Sequence, residues 1–135
     1  MPETKDKTMK ILVCGGRDFT DKKLLYNTLD DLATKHNLWA PPEDGNTLPL
    51  RMEIISGGAK GADTLAIDYA IINWCRFKEY KADWKKYRKA AGPIRNQQML
   101  DEGKPDLVIA FPGGRGTADM CNRAEKAGVE VIRIK

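Results

Sequence analysis

Short apolar runs alternate along this chain with segments whose apolar residues repeat at helical spacing. Residues 10–14, containing Ile11, Leu12, Val13 and Cys14, read as a first strand. Leu25, Leu29, Leu32 and Ala33 fall at i, i+4, i+7 and i+8, one face of a helix over residues 22–35, with Asp21 placed to cap it. Residues 39–49 hold Pro41, Pro42, Gly45 and Pro49 and read as an exposed loop. Residues 51–55 form a second strand, and Ala62, Leu65, Ala66, Tyr69 and Ala70 share one face of a helix opening at Gly61 or Ala62. A third strand is expected over residues 76–80. Residues 84–103 are mostly helical but interrupted at Gly92-Pro93, where proline cannot continue the hydrogen-bond ladder. A new helix is therefore expected to carry Ile94 to Glu102, until Gly103 and Pro105 stop it. Residues 106–111 are almost continuously apolar, the pattern of a strand buried on both faces of a parallel sheet. A last helix over residues 117–127 turns Met120, Cys121, Ala124 and Ala127 inward and ends at Gly128, before a fifth strand with Val129, Val131 and Ile134.

Strand and helix in alternation, joined by right-handed crossovers, predict an α/β fold: a Rossmann-like three-layer sandwich around a mainly parallel five-stranded sheet. Residues 10–135 are expected to form one domain, with residues 1–9 as a polar, flexible leader. Ligands of such sheets bind beyond the carboxyl ends of the strands, where the strand order reverses.

Three glycine-rich turns lie where this rule directs attention. Each follows an apolar run: Gly15-Gly16-Arg17-Asp18, Ser56-Gly57-Gly58-Ala59-Lys60-Gly61-Ala62-Asp63, and Pro112-Gly113-Gly114-Arg115-Gly116-Thr117. Glycine permits positive φ and lets a ligand approach the backbone with no Cβ in the way, while the following helices aim their first N–H groups at the same edge. Such an edge suits phosphate or a similar anion.

Composition narrows the chemistry. Hydrophobic residues make up 41% and charged residues 31% of 135, the balance of an ordinary globular domain. No stretch approaches the roughly 20 apolar residues of a membrane span, and the polar N-terminus lacks an apolar signal core, so a cytoplasmic protein without a membrane partner is expected. Cys14, Cys75 and Cys121 are widely spaced within apolar segments and read as buried free thiols. With His36 the single histidine, a zinc centre or a Ser-His-Asp triad lacks its parts, and neither metal nor cofactor is expected. The formal charge is +4, and residues 76–95 concentrate Arg76, Lys78, Lys81, Lys85, Lys86, Arg88, Lys89 and Arg95 against Glu79 and Asp83. This run is either a solvated helix face or a cationic rim drawing in an anionic ligand.

The three turns, together with Gly92-Pro93-Ile94-Arg95-Asn96-Gln97-Gln98-Met99 and the continuation Ala118-Asp119-Met120, closely resemble the motifs of the SLOG superfamily, in particular its YspA branch. The resemblance covers residues 10–135. It implies a nucleotide or nucleotide-derived ligand, and assembly into a homo-oligomer, for which the loop 39–49 with Trp39 is a candidate contact. The superfamily also holds the Lonely Guy phosphoribohydrolases, which cleave nucleoside monophosphates, and the DNA-processing protein A family, which binds single-stranded DNA. Lonely Guy enzymes carry Pro-Gly-Gly-x-Gly-Thr-x-x-Glu and an upstream arginine. Arg95 resembles that arginine, but Met120 stands at the glutamate position with Asp119 just before it. Methionine can neither stabilise an oxocarbenium-like charge nor activate water.

Binding without turnover is accordingly expected ahead of N-glycosidic hydrolysis by Arg95 and Asp119, and single-stranded nucleic acid is a third reading without an evident row of stacking aromatics. The candidate ligand-facing residues are Gly15, Gly16 and Arg17 in the first turn; Ser56, Gly57, Gly58, Lys60, Gly61 and Asp63 in the second; Arg95 and Asn96; and Pro112, Gly113, Gly114, Arg115, Gly116 and Thr117 in the third. The N–H groups of Gly113, Gly114, Gly116 and Thr117 are expected to cradle a phosphate, with Lys60 reaching a second. Asp63 is either a helix cap or an acceptor for a ribose hydroxyl. Asn96 reads a base or holds backbone. Trp84 and Tyr87 lie over a base or simply pack.

Overall fold

The computed structural model describes residues 8–39 and 50–135. The strands are β1 (Met9–Cys14), β2 (Met52–Ser56), β3 (Arg76–Glu79), β4 (Leu107–Ala110) and β5 (Glu130–Arg133). Between them lie α1 (Lys22–Lys35), α2 (Ala62–Ile72), the single turn α3 (Trp84–Tyr87), α4 (Ala91–Gln98) and α5 (Arg115–Lys126). The sheet order is β3-β2-β1-β4-β5 and every pair is parallel. β1 begins at Met9, inside the stretch read as a leader, because Met9 pairs with Met52; residues 1–7 lie outside the described residues. So does most of the loop 39–49; its ends meet at an antiparallel bridge between Trp39 and Leu50.

Alternation along the strands divides the core into two layers. Ile11, Val13, Ile54 and Ile109 pack with Leu25, Leu29, Ala66 and Tyr69 under α1 and α2. Leu12, Cys14, Ile55, Val108 and Ala110 pack on the other face with Met99, Leu100, Met120, Cys121 and Ala124. β4 is buried along its whole length, as its unbroken apolar run requires. Asp21 caps α1 by accepting the Leu24 N–H at 3.1 Å.

Two boundaries differ from the sequence reading. α4 starts at Ala91, directly after a 3-10 turn at Arg88–Ala90, and runs through Gly92-Pro93. Pro93 is its third residue, where an N–H has no intrahelical acceptor, so the ring breaks nothing. The helix then widens into a π turn at Met99–Gly103 and ends with Lys104 in the left-handed region, φ 50°. α5 begins at Arg115, two residues earlier than expected, and ends at Lys126, so Ala127 sits exposed in the cap instead of facing inward.

Chain order fixes the site. From β1 the chain moves outward through β2 and β3, then crosses to β4 and β5 on the other side, so the order reverses between β1 and β4. There the turns interlock. The Gly16 N–H donates to the Pro112 carbonyl at 2.8 Å, and the Gly16 carbonyl accepts from Phe19 at 3.2 Å and Ala62 at 3.3 Å. Gly61 holds φ 94°, and a Cβ there would run into the Gly16 carbonyl.

Replacing Gly61 by alanine therefore adds left-handed strain and a backbone collision, and is expected to destabilise the domain by about 3 kcal/mol or more. Gly128, φ 81° with open space around its missing Cβ, carries the strain alone, and Gly128→Ala is expected to cost about 1 kcal/mol. Urea denaturation of the two variants measures the difference, and similar losses would mean that close approach of the turns contributes little.

Candidate functional site

A cleft of about 610 Å³ opens over the carboxyl ends of β1 and β4, lined by residues of the first and third glycine turns, by α4 and by Asp63, Trp84 and Lys89. It contains Gly15, Gly16, Arg17, Arg95, Asn96, Gly114, Arg115, Gly116, Thr117 and Asp119. Gly57, Gly58 and Lys60 line a second hollow of about 390 Å³, which shares Arg17, Ala59, Trp84 and Arg95 with the first.

The glycines do two different jobs. A Cβ on Gly15 would meet Ala62 at 2.6 Å and one on Gly16 would meet Gly113 at 3.0 Å, while one on Gly113 would strike the Thr117 hydroxyl. These residues let the turns pack on each other. A Cβ on Gly114 or Gly116 meets nothing within 4 Å, so these two face open space. Gly114 has φ −106° and is the N-cap of α5 without a side-chain cap. The first intrahelical bond runs from the Ala118 N–H to the Gly114 carbonyl at 3.0 Å, which leaves the N–H groups of Arg115, Gly116 and Thr117 without acceptors in the helix.

Four expected site residues do not line either hollow. Ser56 is fully buried, its hydroxyl donating to the Asp63 carbonyl at 2.9 Å and accepting the Gly58 N–H at 3.1 Å. Gly61 is the buried N-cap of α2, Pro112 supplies its carbonyl to Gly16, and Gly113 is pressed against Gly15 and Gly16. Their role in the site is to shape the turns.

Arg95 reaches from α4 to the second turn. Its Nη1 donates to the Gly57 carbonyl at 2.9 Å and its Nε to Asn96 Oδ1 at 3.1 Å. Burial lowers its pKa, opposed by attraction to Asp63, with Arg17 adding repulsion. Asn96 is buried and acts as a tie: its amide donates to the Gly116 carbonyl at 3.2 Å and to Asp119 at 3.0 Å, joining α4 to the start of α5. Arg17 lies with its guanidinium 5.9 Å from the centre of the half-exposed Trp84 ring. Trp84 thus faces both hollows, whereas Tyr87 lines neither and stacks under Lys86.

The carboxylates differ in state. Asp119 is drawn below the usual carboxylate range: partial burial works against this, but hydrogen bonds from Arg123, at 2.8 Å, and Asn96 prevail. Met120 is buried in the core beneath and cannot reach a ligand. Asp63, 7% exposed, is pushed up to about 6 by burial, against the Ala59 N–H, Arg95 and Arg17. Cys14, on the cleft floor, is held as a neutral thiol by its sulfur contact with Cys121 and by burial. The described residues contain no group of three or more histidine, cysteine or acidic side chains arranged to hold a metal ion, and no helix long and apolar enough to cross a membrane.

Sequence reasoning did not single out Ala59, Lys81, Lys89, Gly92 and Met99 as lining residues. Lys81 and Lys89 carried a signal in the basic run; Met99 and Gly92 depend on how α4 lies against the sheet, which no local pattern encodes. Most of that run is exposed and solvated.

A doubly wound parallel α/β domain with glycine turns meeting at its switch point is the class these features define. The chain belongs to the YspA, cpYpsA-related SLOG family, whose model matches residues 9–87 and so includes the first two turns. It is 31% identical over 135 aligned residues to the Gene 61 protein of Mycobacterium phage D29, covering 93% of this chain and 95% of that protein. Its fold is similar to that of DNA processing protein A from Streptococcus pneumoniae, with a TM-score of 0.69 and 21% identity over 98% of this chain. The chain spans about half of that structure, 52%.

Asp63 supplies a pH test. Its folded pKa lies above the unfolded value of 3.8, so the fold favours the protonated form; its ionisation is stabilising nowhere and costs most above about pH 6. The stability contributed by this group falls as pH rises from about 4 through 6, by on the order of 3 kcal/mol. Asp63→Asn, which keeps an acceptor for Ala59, is expected to be more stable than the parent at pH 7.5 and to lose the advantage near pH 4. Denaturation curves across that range check it, and parallel pH profiles would show that Asp63 stays solvated.

Proposed function

We propose that this domain binds a nucleotide or nucleotide-derived small molecule through a phosphate seated at the N-terminus of α5, and holds it without cleaving it. One observation carries the reading: at the point where the strand order reverses, two glycines face open space beside three N–H groups that lack helical acceptors. The backbone partial charge and N–H donors there suit an oxyanion, and Arg17 and Arg95 border the same cleft. Trp84 offers a flat surface for a base. The cleft volume of about 610 Å³ lies within the usual range for small-molecule sites.

Holding without cleavage follows from the carboxylates. Asp119, bound by Arg123 and Asn96, is a weak base and a poor proton donor, and Met120 is unreactive. A hydrolytic reading has one observation in its favour, since Asp63 lines the cleft near Arg95 with a pKa close to neutrality. The likeness to DNA processing protein A is one of fold and leaves a single-stranded nucleic acid as a ligand to be tested alongside.

Gly114→Val is expected to fold normally, because open space surrounds that position, and to lose nucleotide binding, because the side chain projects over the N–H groups of α5. Calorimetric titration with nucleoside 5′-monophosphates and circular dichroism check the two halves; unchanged affinity in a folded variant would remove the third turn from the site. Arg95→Ala is expected to weaken the same binding by about 1.5 to 3 kcal/mol, with partial recovery in Arg95→Lys, which lacks the guanidinium fork.

Incubation with nucleoside monophosphates is expected to release no free base, as followed by chromatography. Release that disappears in Asp63→Asn or in Asp119→Asn would make the protein a hydrolase and identify its carboxylate.

A further inference from the structure

The second hollow has a composition of its own. Arg17, Lys60, Lys81 and Arg95 line it around the Gly57-Gly58 turn, with Trp84 on the wall it shares with the main cleft. Among the described residues no carboxylate lines the hollow itself, but two adjoin its glycines: that of Glu79 lies against Gly58, and that of Asp63, which lines the main cleft, against Gly57. Among the described residues neither Lys60 nor Lys81 has an ion-pair or hydrogen-bond partner. Arg17 repels Arg95 there, and with the two lysines the four cations outnumber the two adjoining carboxylates, a balance that favours an anion. The two hollows adjoin, sharing Arg17, Ala59, Trp84 and Arg95 in their linings, so Lys60 and Lys81 lie beside the cleft that opens on α5.

We infer that the ligand is a nucleotide bearing two phosphate groups, one on the N-terminus of α5 and one held by Lys60 and Lys81, and not a nucleoside monophosphate. This rests on the phosphate site proposed above for α5. The second phosphate is carried either on a 5′-diphosphate or on the opposite side of the ribose, as in a 3′,5′-bisphosphate; the chemistry recognised is the same.

The test compares adenosine, guanosine, cytidine and uridine 5′-monophosphates with the matching 5′-diphosphates and 3′,5′-bisphosphates, by calorimetry. For at least one base, a doubly phosphorylated form is expected to bind ten or more times as tightly as the monophosphate. That ratio is expected to collapse to within about threefold of unity in the Lys60→Ala/Lys81→Ala double variant. It is expected to persist in Lys85→Ala/Lys86→Ala, which removes the same charge outside the hollow. Which doubly phosphorylated form shows the lysine dependence tells where the second phosphate is carried.

A ratio near one in the unaltered protein, or one that survives loss of Lys60 and Lys81, overturns the inference and leaves the α5 site standing. Monophosphate binding that ignores Gly114→Val overturns the α5 site itself. Tight capture of a twelve-residue oligothymidylate with every nucleotide left unbound overturns both in favour of a polynucleotide track.

Discussion

The peptide group of Gly16 is the joint on which this domain depends. Its N–H bonds the turn after β4, its carbonyl receives the start of α2, and its missing side chain leaves room for Gly113 at van der Waals distance. The three strands whose turns meet there are neighbours, β2-β1-β4, so the sheet brings the turns together and Gly16 locks them. Any side chain at Gly15, Gly16, Gly61 or Gly113 would prise the turns apart. Close packing of backbone is thus the condition for having a cleft at all, and the open glycines of α5 come after it.

Much of this was legible in the sequence. Short apolar runs located β1, β2 and β4, and period-3.6 spacing the faces of α1 and α2, because those residues are the ones the core buries; β3, expected over residues 76–80, is exposed along its length and is held by its pairing with β2. The glycine turns identified the edge, since a turn after a buried strand has only the carboxyl end of the sheet to occupy. What the pattern could not separate was glycine that faces open space from glycine that admits another turn. Gly113 and Gly114 are adjacent and chemically identical, yet one is packed against Gly15 and Gly16 and the other faces open space. That distinction is made by the register of β4 against β1, a property of the assembled sheet.

The helix boundaries illustrate the same limit from the other side. Pro93 signals an interruption in sequence, but its cost depends on where in the helix it falls, and in the first turn it has no acceptor to lose. Asp119 and Met120 were read as a displaced catalytic position. Met120 packs under the sheet, as its place on the inward face of the helix predicts, and Asp119 lies beside Asn96 and Arg123, whose two hydrogen bonds account for its ionised state without any reaction.

Asp63 has no such settlement, and its position relative to Arg95 bears on how much positive charge the cleft keeps. A carboxylate between two guanidiniums would ordinarily collapse into an ion pair and cancel their charge. Here Arg95 is held away from it: its Nη1 is committed to the Gly57 carbonyl and its Nε to Asn96. Of the five N–H donors of its guanidinium, those are the two engaged among the described residues. Asp63 in turn takes its hydrogen bond from the Ala59 N–H at 3.3 Å and attracts the arginines only through space. Buried with incomplete compensation, it has its pKa pushed up to about 6, and its protonation removes a negative charge from beside the two guanidiniums. The scaffold therefore leaves the charge of Arg95 uncancelled at the switch point by spending its hydrogen bonds on one backbone carbonyl and one amide, groups that carry no charge to offset it.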